Sequence, residues 1–405
     1  MSEVLMGCES TFVHFFLNTK TNKRLMKEIR MVDLATQYEK IKIEINEAIN
    51  EVLESTAFIN GPAVRTFKEN LEKHLKVHHV IPCANGTDAL QLAMMALDLQ
   101  PGDEVITASF TYVATAEVIA LLKLTPVLVD VDEETFLIDP QKIEKAITSK
   151  TKAIVPVHLF GQCADMERIM AIANRYNLFV IEDTAQAINA EYTFSDGTVK
   201  KAGTIGHIGC TSFFPSKNLG CYGDGGAIFT NDDVLASKLR MIANHGQSIQ
   251  YHHDIVGVNS RLDTIQAAIL NIKLKYLNDY TKARQAAAEY YDHAFEGHPL
   301  LKIPKRTLNS THVFHQYTLK LSPEVDRNGL KNYLAEQKIP SMIYYPIPLH
   351  KQKAYQSDRY GPGDFPISEQ LAASVISLPM HTELTKEQQD FIIHHVFNFL
   401  KRYIS

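Results

Sequence analysis

The chain has 405 residues, of which 45% are hydrophobic and 21% charged, the mixture of an ordinary soluble globular protein with a large and a smaller domain. Its net charge of -5 comes from interspersed acids and bases, which excludes a basic surface for nucleic acid. No apolar run approaches the roughly 18 residues that cross a membrane, and five scattered cysteines without a Cys-x-x-Cys pair argue against a zinc site or disulfide framework and favour the cytoplasm.

The N-terminal region differs from the rest of the chain. Residues 1–28 show no clear period, and Met26 and Met31 both offer later starting points, so we expect a leader that is disordered or a wrongly assigned start. After it, apolar residues at helical spacing predict a helix over Tyr38–Leu53. A second helix is predicted to begin at Pro62, because proline favours the first helical position.

From residue 80 onwards, short apolar strands alternate with helical stretches, which predicts a mostly parallel sheet covered on both faces. The predicted strands are Val80–Pro82, Glu104–Thr107, Pro126–Val129, Ala153–Val157, Phe179–Ile181, Cys210–Phe214 and Gly226–Thr230. The predicted helices are Asp88–Leu97, Ala114–Leu122, Pro140–Ile147 and Met166–Tyr176. Beyond these, the pattern predicts one long helical segment from Arg261 towards Tyr291, a strand at Gln316–Leu321, and helices at Arg327–Glu336 and Lys386–Lys401.

Ligands of such sheets bind at the carboxyl ends of the strands, so the residues that follow the first strands are candidates. Gly86 and Thr87 precede a helix whose free N–H groups suit a phosphate. The same stretch also fits an ordinary helix start capped by Thr87 or Asp88. Tyr112 follows the next strand, where it could stack on a flat ligand or simply pack half-buried.

Two later stretches carry ionisable groups at strand ends. Asp183 ends an apolar strand and could hold a cationic nitrogen, such as the protonated ring nitrogen of pyridoxal phosphate, or could cap a helix. Lys217 lies among apolar and small residues, where a lysine can lose its proton and form a Schiff base, although most lysines are solvated. Ser212 could offer its hydroxyl to a phosphate. The glycine-rich run 223–226 lacks the ending of a phosphate loop and is interpreted as a tight turn.

In order and spacing these stretches resemble the DegT/DnrJ/EryC1/StrS family of sugar aminotransferases, from about residue 30 to the C-terminus. The matching stretches are NGTDAL, TYVATAEVIA, VPVHLFGQCADM, VIEDTAQA, SFFPSKNLG, GDGGAIFTND, NHGQ, VNSRLDTIQAAIL and YYPIPLHKQKAY. The resemblance implies the α/β fold of aspartate aminotransferase, pyridoxal-phosphate-dependent transferase fold type I. A large domain over 29–275 would hold a mostly parallel seven-stranded sheet, and a smaller C-terminal α/β domain would span 276–405.

The resemblance also implies a cofactor and site residues. The cofactor is pyridoxal 5′-phosphate, with pyridoxamine phosphate as the form between two half-reactions and no metal. Lys217 matches the catalytic lysine that carries the cofactor, and Asp183 matches the carboxylate on the pyridine nitrogen. The other implied cofactor contacts are Gly86, Thr87, Tyr112, Gln186, Ser212 and Asn259, the last from a partner subunit. The candidate substrate contacts are Arg261, His315, Tyr344 and Tyr345.

The implied protein is a cytoplasmic homodimer with shared active sites that takes an amino group from L-glutamate and places it on a nucleotide-linked keto sugar, with no nucleic acid or membrane partner. The runs SFFPSKNLGCYGDGGAI and NSRLDTIQAAIL are most similar to aminotransferases of UDP-2-acetamido-2-deoxy-3-oxo-glucuronate, whose 3-amino product serves lipopolysaccharide or capsule. One departure leaves the sugar open, because many relatives have His-Tyr-Pro where this chain has Tyr344-Tyr345-Pro346.

Four alternatives follow from the same residues. A dTDP-linked 3- or 4-keto-6-deoxyhexose would lack the sugar carboxylate. A dehydratase of the family would have histidine in place of Lys217. A regulatory or sensory protein that kept the fold without catalysis is disfavoured by the intact Lys217, Asp183 and phosphate-site residues and by the absence of a DNA-binding module or basic helix. A sulfur-transferring enzyme would need a catalytic cysteine on a mobile loop, and none of the five cysteines has such a setting.

Overall fold

The computed structural model describes residues 27–404, so residues 1–26 of the expected leader lie outside the described residues. The described start of the chain packs against its end. The Gln388 side chain donates to the carbonyls of Lys27 and Glu28 at 3.3 Å each, and buried Ile29 joins the C-terminal apolar core. Over 27–404, no helix is long and apolar enough to cross a membrane.

Two helices precede the first strand, α1 (Leu34–Ser55) and α2 (Pro62–Leu75). Helix α1 starts four residues earlier than the apolar spacing predicts, because the Asp33 side chain caps it by accepting a hydrogen bond from the N–H of Thr36 at 3.0 Å. Helix α2 begins at Pro62, as predicted.

The next part of the chain forms nine strands and five helices. The strands are β1 (His79–Cys83), β2 (Glu104–Ala108), β3 (Thr125–Val129), β4 (Thr151–Val155), β5 (Phe179–Asp183), β6 (Glu191–Thr193), β7 (Val199–Lys201), β8 (Ile208–Ser212) and β9 (Gly226–Thr230). The helices are α3 (Gly86–Ala96), α4 (Ala114–Leu121), α5 (Pro140–Ala146), α6 (Met166–Tyr176) and α7 (Asp233–Ala243). Strands β6 and β7 form a separate hairpin.

The central sheet has seven strands in the order β1-β9-β8-β5-β4-β2-β3, in which β9 alone runs against the others. Apolar side chains cover both faces. Val105 packs into one buried cluster and its neighbour Ile106 into another, because successive strand residues point to opposite faces. Burial on both faces explains the nearly continuous apolar runs of these strands. The predicted mostly parallel, two-sided sheet is confirmed.

The remaining elements are the strands β10 (Gln247–Ile249), β11 (His252–His253), β12 (Leu301–Lys302), β13 (Tyr317–Leu321) and β14 (Val375–Leu378), and the helices α8 (Thr264–Lys275), α9 (Leu277–Phe295), α10 (Arg327–Glu336), α11 (Pro366–Ser374) and α12 (Lys386–Leu400). Helices α9, α10 and α12 pack with a three-stranded sheet in a second apolar core. Short 3-10 turns occupy Leu159–Gly161, Leu349–Lys351, Lys353–Tyr355 and Lys401–Tyr403. Strands β12, β13 and β14 make up the small sheet, and β10 pairs with β11.

The prediction of one long helical segment from Arg261 is wrong, because two helices meet at Tyr276. The backbone N–H of Tyr276 bonds to the carbonyl of Lys273 at 3.1 Å, a spacing of three residues that tightens the last turn and ends α8. The predicted division between a domain over 29–275 and one over 276–405 coincides with this break, and we propose the boundary there.

Candidate active site

A cavity of about 740 Å³ lies where β1, β2, β5 and β8 end. These four strands run parallel, so their carboxyl ends meet at one edge of the sheet. Residues around β13 and β14 form the opposite wall. The cavity brings together ten of the twelve predicted site residues: Gly86, Thr87, Tyr112, Asp183, Gln186, Ser212, Lys217, His315, Tyr344 and Tyr345.

The N-terminus of α3 points its first turn into this cavity. The helix starts at Gly86 and is capped by Asn85, whose side-chain oxygen accepts a hydrogen bond from the N–H of Asp88 at 2.8 Å. The prediction of a helix start at Asp88, or of a cap at Thr87 or Asp88, is therefore wrong. Gly86 and Thr87 belong to the first turn, where backbone N–H groups have no partner within the helix.

Ser212 faces this first turn at very close range. A Cβ atom on Gly86 would lie 2.7 Å from the Cβ of Ser212, so the approach requires glycine at position 86. The Ser212 hydroxyl oxygen accepts a hydrogen bond from the N–H of Phe214 at 3.2 Å, which leaves the hydroxyl proton free to donate. The turn and the hydroxyl together form a cradle of donors for an anion, reinforced by the helix dipole.

Asp183 ends β5 with its carboxylate in the cavity and is 7% exposed. Thr115 donates its hydroxyl to one carboxylate oxygen at 3.0 Å, and the N–H of Ala185 bonds to the other at 3.1 Å. Both hydrogen bonds fix the orientation of the carboxylate. The site therefore holds an oriented carboxylate on the sheet side of the cavity.

Glu182, the other acid in this stretch, points to the opposite face of the sheet because strand residues alternate. It is fully buried and accepts hydrogen bonds from the N–H groups of Gly203, Ile205 and Gly206 at 2.6–2.9 Å. His158 Nε2 lies 2.9 Å from its carboxylate. Glu182 thus anchors the loop that leads into β8 and takes no part in the cavity.

Lys217 lies in the loop that follows β8. Its backbone N–H bonds to the carbonyl of Phe214 at 2.8 Å, and the side chain of the next residue, Asn218, donates to the carbonyl of Val313 at 2.9 Å. These bonds hold the loop against the C-terminal part of the chain. Burial lowers the pKa of Lys217 to about 8, although the nearby carboxylate of Asp183 acts in the opposite direction. Near neutral pH a useful fraction of this amine is unprotonated and nucleophilic.

Gln186 is oriented by the turn that precedes α6. The N–H of Phe160 donates to its side-chain oxygen at 2.7 Å, so its amide nitrogen faces Tyr345 and donates to that hydroxyl at 3.1 Å. Burial raises the pKa of Tyr345, which remains a protonated phenol. The ring of Tyr112, 57% exposed, lies 6.1 Å from that of Tyr345 with a tilt of 43°. The two rings form an aromatic wall.

His315 and Tyr344 occupy the wall on the side of the C-terminal sheet. Burial lowers the pKa of His315 well below its usual 6.5, and Lys217 and Arg284 act in the same direction. Burial raises the pKa of Tyr344. Both side chains are neutral at physiological pH, so they can offer hydrogen bonds to a substrate but no positive charge.

Asn259 and Arg261 do not line the cavity of their own chain. Asn259 is exposed, and its backbone forms an isolated bridge with Asn244 close to the β10–β11 hairpin. Arg261 is partly exposed three residues before α8.

Sequence reasoning missed several residues of this site. Thr115, which bonds to Asp183, lies in the stretch TYVATAEVIA, but nothing in that stretch indicates a partner 68 residues away. Met31, Val32 and Gln316 also line the cavity. Met31 accepts a hydrogen bond from the N–H of Met380 at 3.3 Å, so the segment before α1 contributes to the wall by tertiary packing.

The four groups fit pyridoxal phosphate. The donor cradle at Gly86 and Ser212 suits a phosphate, the aromatic wall suits a flat ring, and the buried carboxylate of Asp183 suits a protonated ring nitrogen. The partly unprotonated amine of Lys217 suits an aldehyde.

Comparison with known proteins supports this assignment. Residues 39–397 match the DegT/DnrJ/EryC1/StrS aminotransferase family. A relative from Geobacillus stearothermophilus, named a pleiotropic regulatory protein, is 46% identical over 93% of this chain and 99% of its own. The UDP-2-acetamido-2-deoxy-3-oxo-D-glucuronate aminotransferase of Pseudomonas aeruginosa is 46% identical over 88% and 96%. The dTDP-3-amino-3,6-dideoxy-alpha-D-galactopyranose transaminase of Aneurinibacillus thermoaerophilus is 44% identical over 91% and 97%.

Solved structures agree with these relatives. A DegT/DnrJ/EryC1/StrS aminotransferase from Brucella abortus matches with a TM-score of 0.86 and 43% identity, over 92% of this chain and 99% of its own. A Bacillus subtilis protein crystallised with the cofactor pyridoxamine phosphate matches with a TM-score of 0.83 and 33% identity, over 92% and 83%. The chain therefore belongs to the DegT/DnrJ/EryC1/StrS aminotransferase family and is a pyridoxal-phosphate-dependent aminotransferase.

Proposed function

We propose that this enzyme transfers the amino group of L-glutamate to C3 of UDP-2-acetamido-2-deoxy-3-oxo-glucuronate in the cytoplasm, giving a 3-amino sugar for lipopolysaccharide or another surface polysaccharide. The observation that carries amino transfer is the meeting of Lys217, Asp183 and the Gly86–Ser212 cradle in one cavity. The choice of sugar is supported by the Pseudomonas relative. The names of both sugar-modifying relatives place the oxo or amino group at position 3, so C3 is the feature they share.

Each side chain has a defined task in this reaction. Bound pyridoxal phosphate supplies an electron sink for negative charge that develops on the carbon losing a proton. Lys217 would bind the aldehyde of the cofactor, and its Nζ, an amine of lowered pKa, would take up the proton from the α-carbon of glutamate and give it back in the course of amino transfer. Asp183 would accept a hydrogen bond from the protonated ring nitrogen. Ser212 and the first turn of α3 would hold the phosphate and so fix the position of the ring.

We also propose that the enzyme works as a homodimer in which Asn259 and Arg261 complete the site of the partner. Both residues lie outside the cavity of their own chain. The neighbouring hairpin segment carries Tyr251 and Val256, which are 82% and 87% exposed. Apolar side chains grouped on a surface in this way are typical of an interface.

A dTDP-linked 3-keto-6-deoxyhexose is the second candidate substrate, and one observation favours it. Among the described residues that line the cavity, Lys217 is the sole lysine or arginine, so one chain offers no spare cation for a sugar carboxylate. The uronate therefore requires Arg261 of a partner, whereas a neutral sugar does not. The Aneurinibacillus relative acts on a sugar of this neutral class.

A purely regulatory role is the candidate of another class, and the name of the Geobacillus relative belongs to it. A protein without catalysis has no need for an amine of lowered pKa beside a buried carboxylate. The geometry of Lys217 and Asp183 therefore favours catalysis over regulation alone.

The substrate is tested by recording the visible absorbance of the cofactor-loaded enzyme. We expect glutamate to remove the absorbance band and UDP-2-acetamido-2-deoxy-3-oxo-glucuronate to restore it. If the band returns only with the dTDP-linked 3-keto-6-deoxyhexose, amino transfer is supported but the proposed sugar is wrong. A band that glutamate leaves unchanged would contradict amino transfer from this donor.

A further inference from the structure

Hydrogen bonds to both its N–H and its carbonyl fix the backbone of His315. Its N–H donates to the carbonyl of Phe160 at 2.9 Å, and its own carbonyl accepts from the Arg284 guanidinium at 3.3 Å. The same guanidinium nitrogen also bonds to the carbonyls of Phe314 at 3.0 Å and Met380 at 3.1 Å. The backbone of His315 is thus fixed between α9, the turn before α6 and the segment after β14.

Close packing of the turn before α6 adds to this constraint. Phe160 has a φ of +60°, in the left-handed region that residues other than glycine rarely adopt. Gly161 has a φ of +115°, and a Cβ there would lie 2.9 Å from the backbone nitrogen of Phe314 and 3.0 Å from that of His315. The turn can approach this closely because position 161 has no side chain.

In contrast to its backbone, the His315 side chain is not fully paired. The residue is 8% exposed, yet its Nδ1 atom has no hydrogen-bond partner in the described part of the chain. The residue lines the same cavity as Lys217, and the charge of Lys217 contributes to the lowered pKa of His315. A buried polar group without a partner costs stability, so it is expected where a ligand or a reacting group supplies the partner.

We propose that His315 is a positioning residue whose neutral imidazole accepts a hydrogen bond from the Lys217 amine in the enzyme that carries pyridoxamine phosphate. The proposal rests on the role proposed for Lys217, and it assigns His315 to the proton-transfer step and not to a sugar carboxylate. A neutral imidazole always has one ring nitrogen that accepts. By accepting from the amine, it would direct the lone pair of Lys217 Nζ away from itself and towards the substrate carbon.

The sign of the effect on Lys217 follows from the charges. A neutral acceptor stabilises the ammonium form more than the amine, because a hydrogen bond from a charged donor is stronger. His315 therefore raises the pKa of Lys217 against the lowering effect of burial. The charged groups that act on the pKa of either residue are Asp183 on β5 and Arg284 on α9. The other titratable residues that line the cavity are Asp88, Tyr112, Glu117, Cys210, Asp224, Tyr344 and Tyr345.

The test measures how Lys217 reacts with acetic anhydride as a function of pH, by mass spectrometry of the enzyme that carries pyridoxamine phosphate. In the wild-type enzyme we expect the extent of Lys217 acetylation to rise with pH, with an inflection at a pH of about 8 that reports the pKa of Lys217. Both His315→Phe and His315→Leu remove the acceptor, and we expect the inflection to fall by on the order of one unit. His315→Gln retains an acceptor and should shift it by less than half as much. The pH profile of the glutamate half-reaction should move with the labelling inflection.

His312→Asn is the matched control. His312 is buried three residues earlier but does not line the cavity, and its Nδ1 accepts a hydrogen bond from the N–H of Phe314 that an asparagine oxygen can replace. The His312→Asn substitution should leave the inflection of Lys217 acetylation unchanged, even if it lowers the melting temperature of the enzyme. An unchanged inflection in folded His315→Phe or His315→Leu would overturn the proposal. Because labelling reports the Lys217 amine itself, that result is distinguishable from the attachment of the cofactor to a different lysine.

Discussion

At the scale of single residues, two opposed effects set the reactivity of Lys217. Burial lowers its pKa to about 8 and the carboxylate of Asp183 raises it. Without Asp183 the amine would be still less basic, and without burial it would be almost fully protonated at neutral pH. The same carboxylate is the group proposed to hold a protonated ring nitrogen, so in the proposed reaction one carboxylate would act on both the lysine and the cofactor.

The cradle at Gly86 gives a prediction for cofactor binding. We expect Gly86→Ala to weaken pyridoxal phosphate binding by at least tenfold, because the added Cβ would lie 2.7 Å from that of Ser212 and displace the donors. Overpacking of this kind costs roughly 1–3 kcal/mol. Fluorescence titration with the cofactor measures the change. Gly361→Ala is the control, because a Cβ there meets a single atom, at 3.9 Å. Equal affinity of the two variants would show that the cradle does not hold the phosphate.

At the scale of elements, successive residues of β5 point to opposite faces of the sheet, so that one of them stabilises the fold and the next faces the cavity. Glu182 and Asp183 are neighbours, but Glu182 accepts three backbone N–H bonds on one side and Asp183 faces the cavity on the other. Single isosteric amide substitutions at the two positions should therefore have opposite consequences.

We expect Glu182→Gln to lower the free energy of unfolding by about 3 kcal/mol, because an amide group would meet the N–H donors of the loop. Asp183→Asn should change the free energy of unfolding by less than about 1 kcal/mol and slow the glutamate half-reaction at least 100-fold. Urea unfolding and single-turnover absorbance measure the two effects. The reverse pattern, a stable but inactive Glu182→Gln, would contradict the assignment of faces.

The seven strands of the central sheet were predictable from sequence to within two residues at each end, whereas the connections between distant elements were not. Apolar runs such as Glu104–Ala108 identify strands because burial on both faces demands them. The sequence places the start of α3 too late, at Asp88. The reason is that the residues Asn85 and Gly86 are as typical of a turn as of a capped helix start. The side chain of Gln186 is oriented by the N–H of Phe160, a backbone contact that leaves no trace in either stretch of sequence.

At the scale of the whole molecule, one chain supplies ten of the twelve predicted site residues and places Asn259 and Arg261 elsewhere. The resemblance assigns Asn259 to the site of a partner subunit, and this role stays a prediction. No local pattern in the sequence could have done so, because an exposed asparagine after a hairpin is equally typical of a solvated loop.

The proposed homodimer with shared sites makes a prediction about mixed dimers. Co-expression of Lys217→Ala with Asn259→Ala should restore activity, because in a mixed dimer one site keeps both residues and the other lacks both. About half of the sites in such dimers would be complete. The turnover rate of the purified mixed dimer measures this recovery of activity. Lys217→Ala with Asp183→Ala is the matched control and should restore nothing, because both residues belong to the same chain at each site. Failure of the first pair would argue against a site that spans two subunits.

The most direct test of the account is to locate the cofactor on the chain. Reduction of the pyridoxal-phosphate-loaded enzyme with sodium borohydride fixes the cofactor to its lysine, and peptide mass spectrometry identifies that residue. We predict the added mass on the peptide that contains Lys217. Lys273 is the internal competitor, since burial lowers its pKa to about 8 as well, but it does not line the cavity. Label on Lys273, or on no lysine at all, would contradict the assignment of Lys217 as the catalytic lysine.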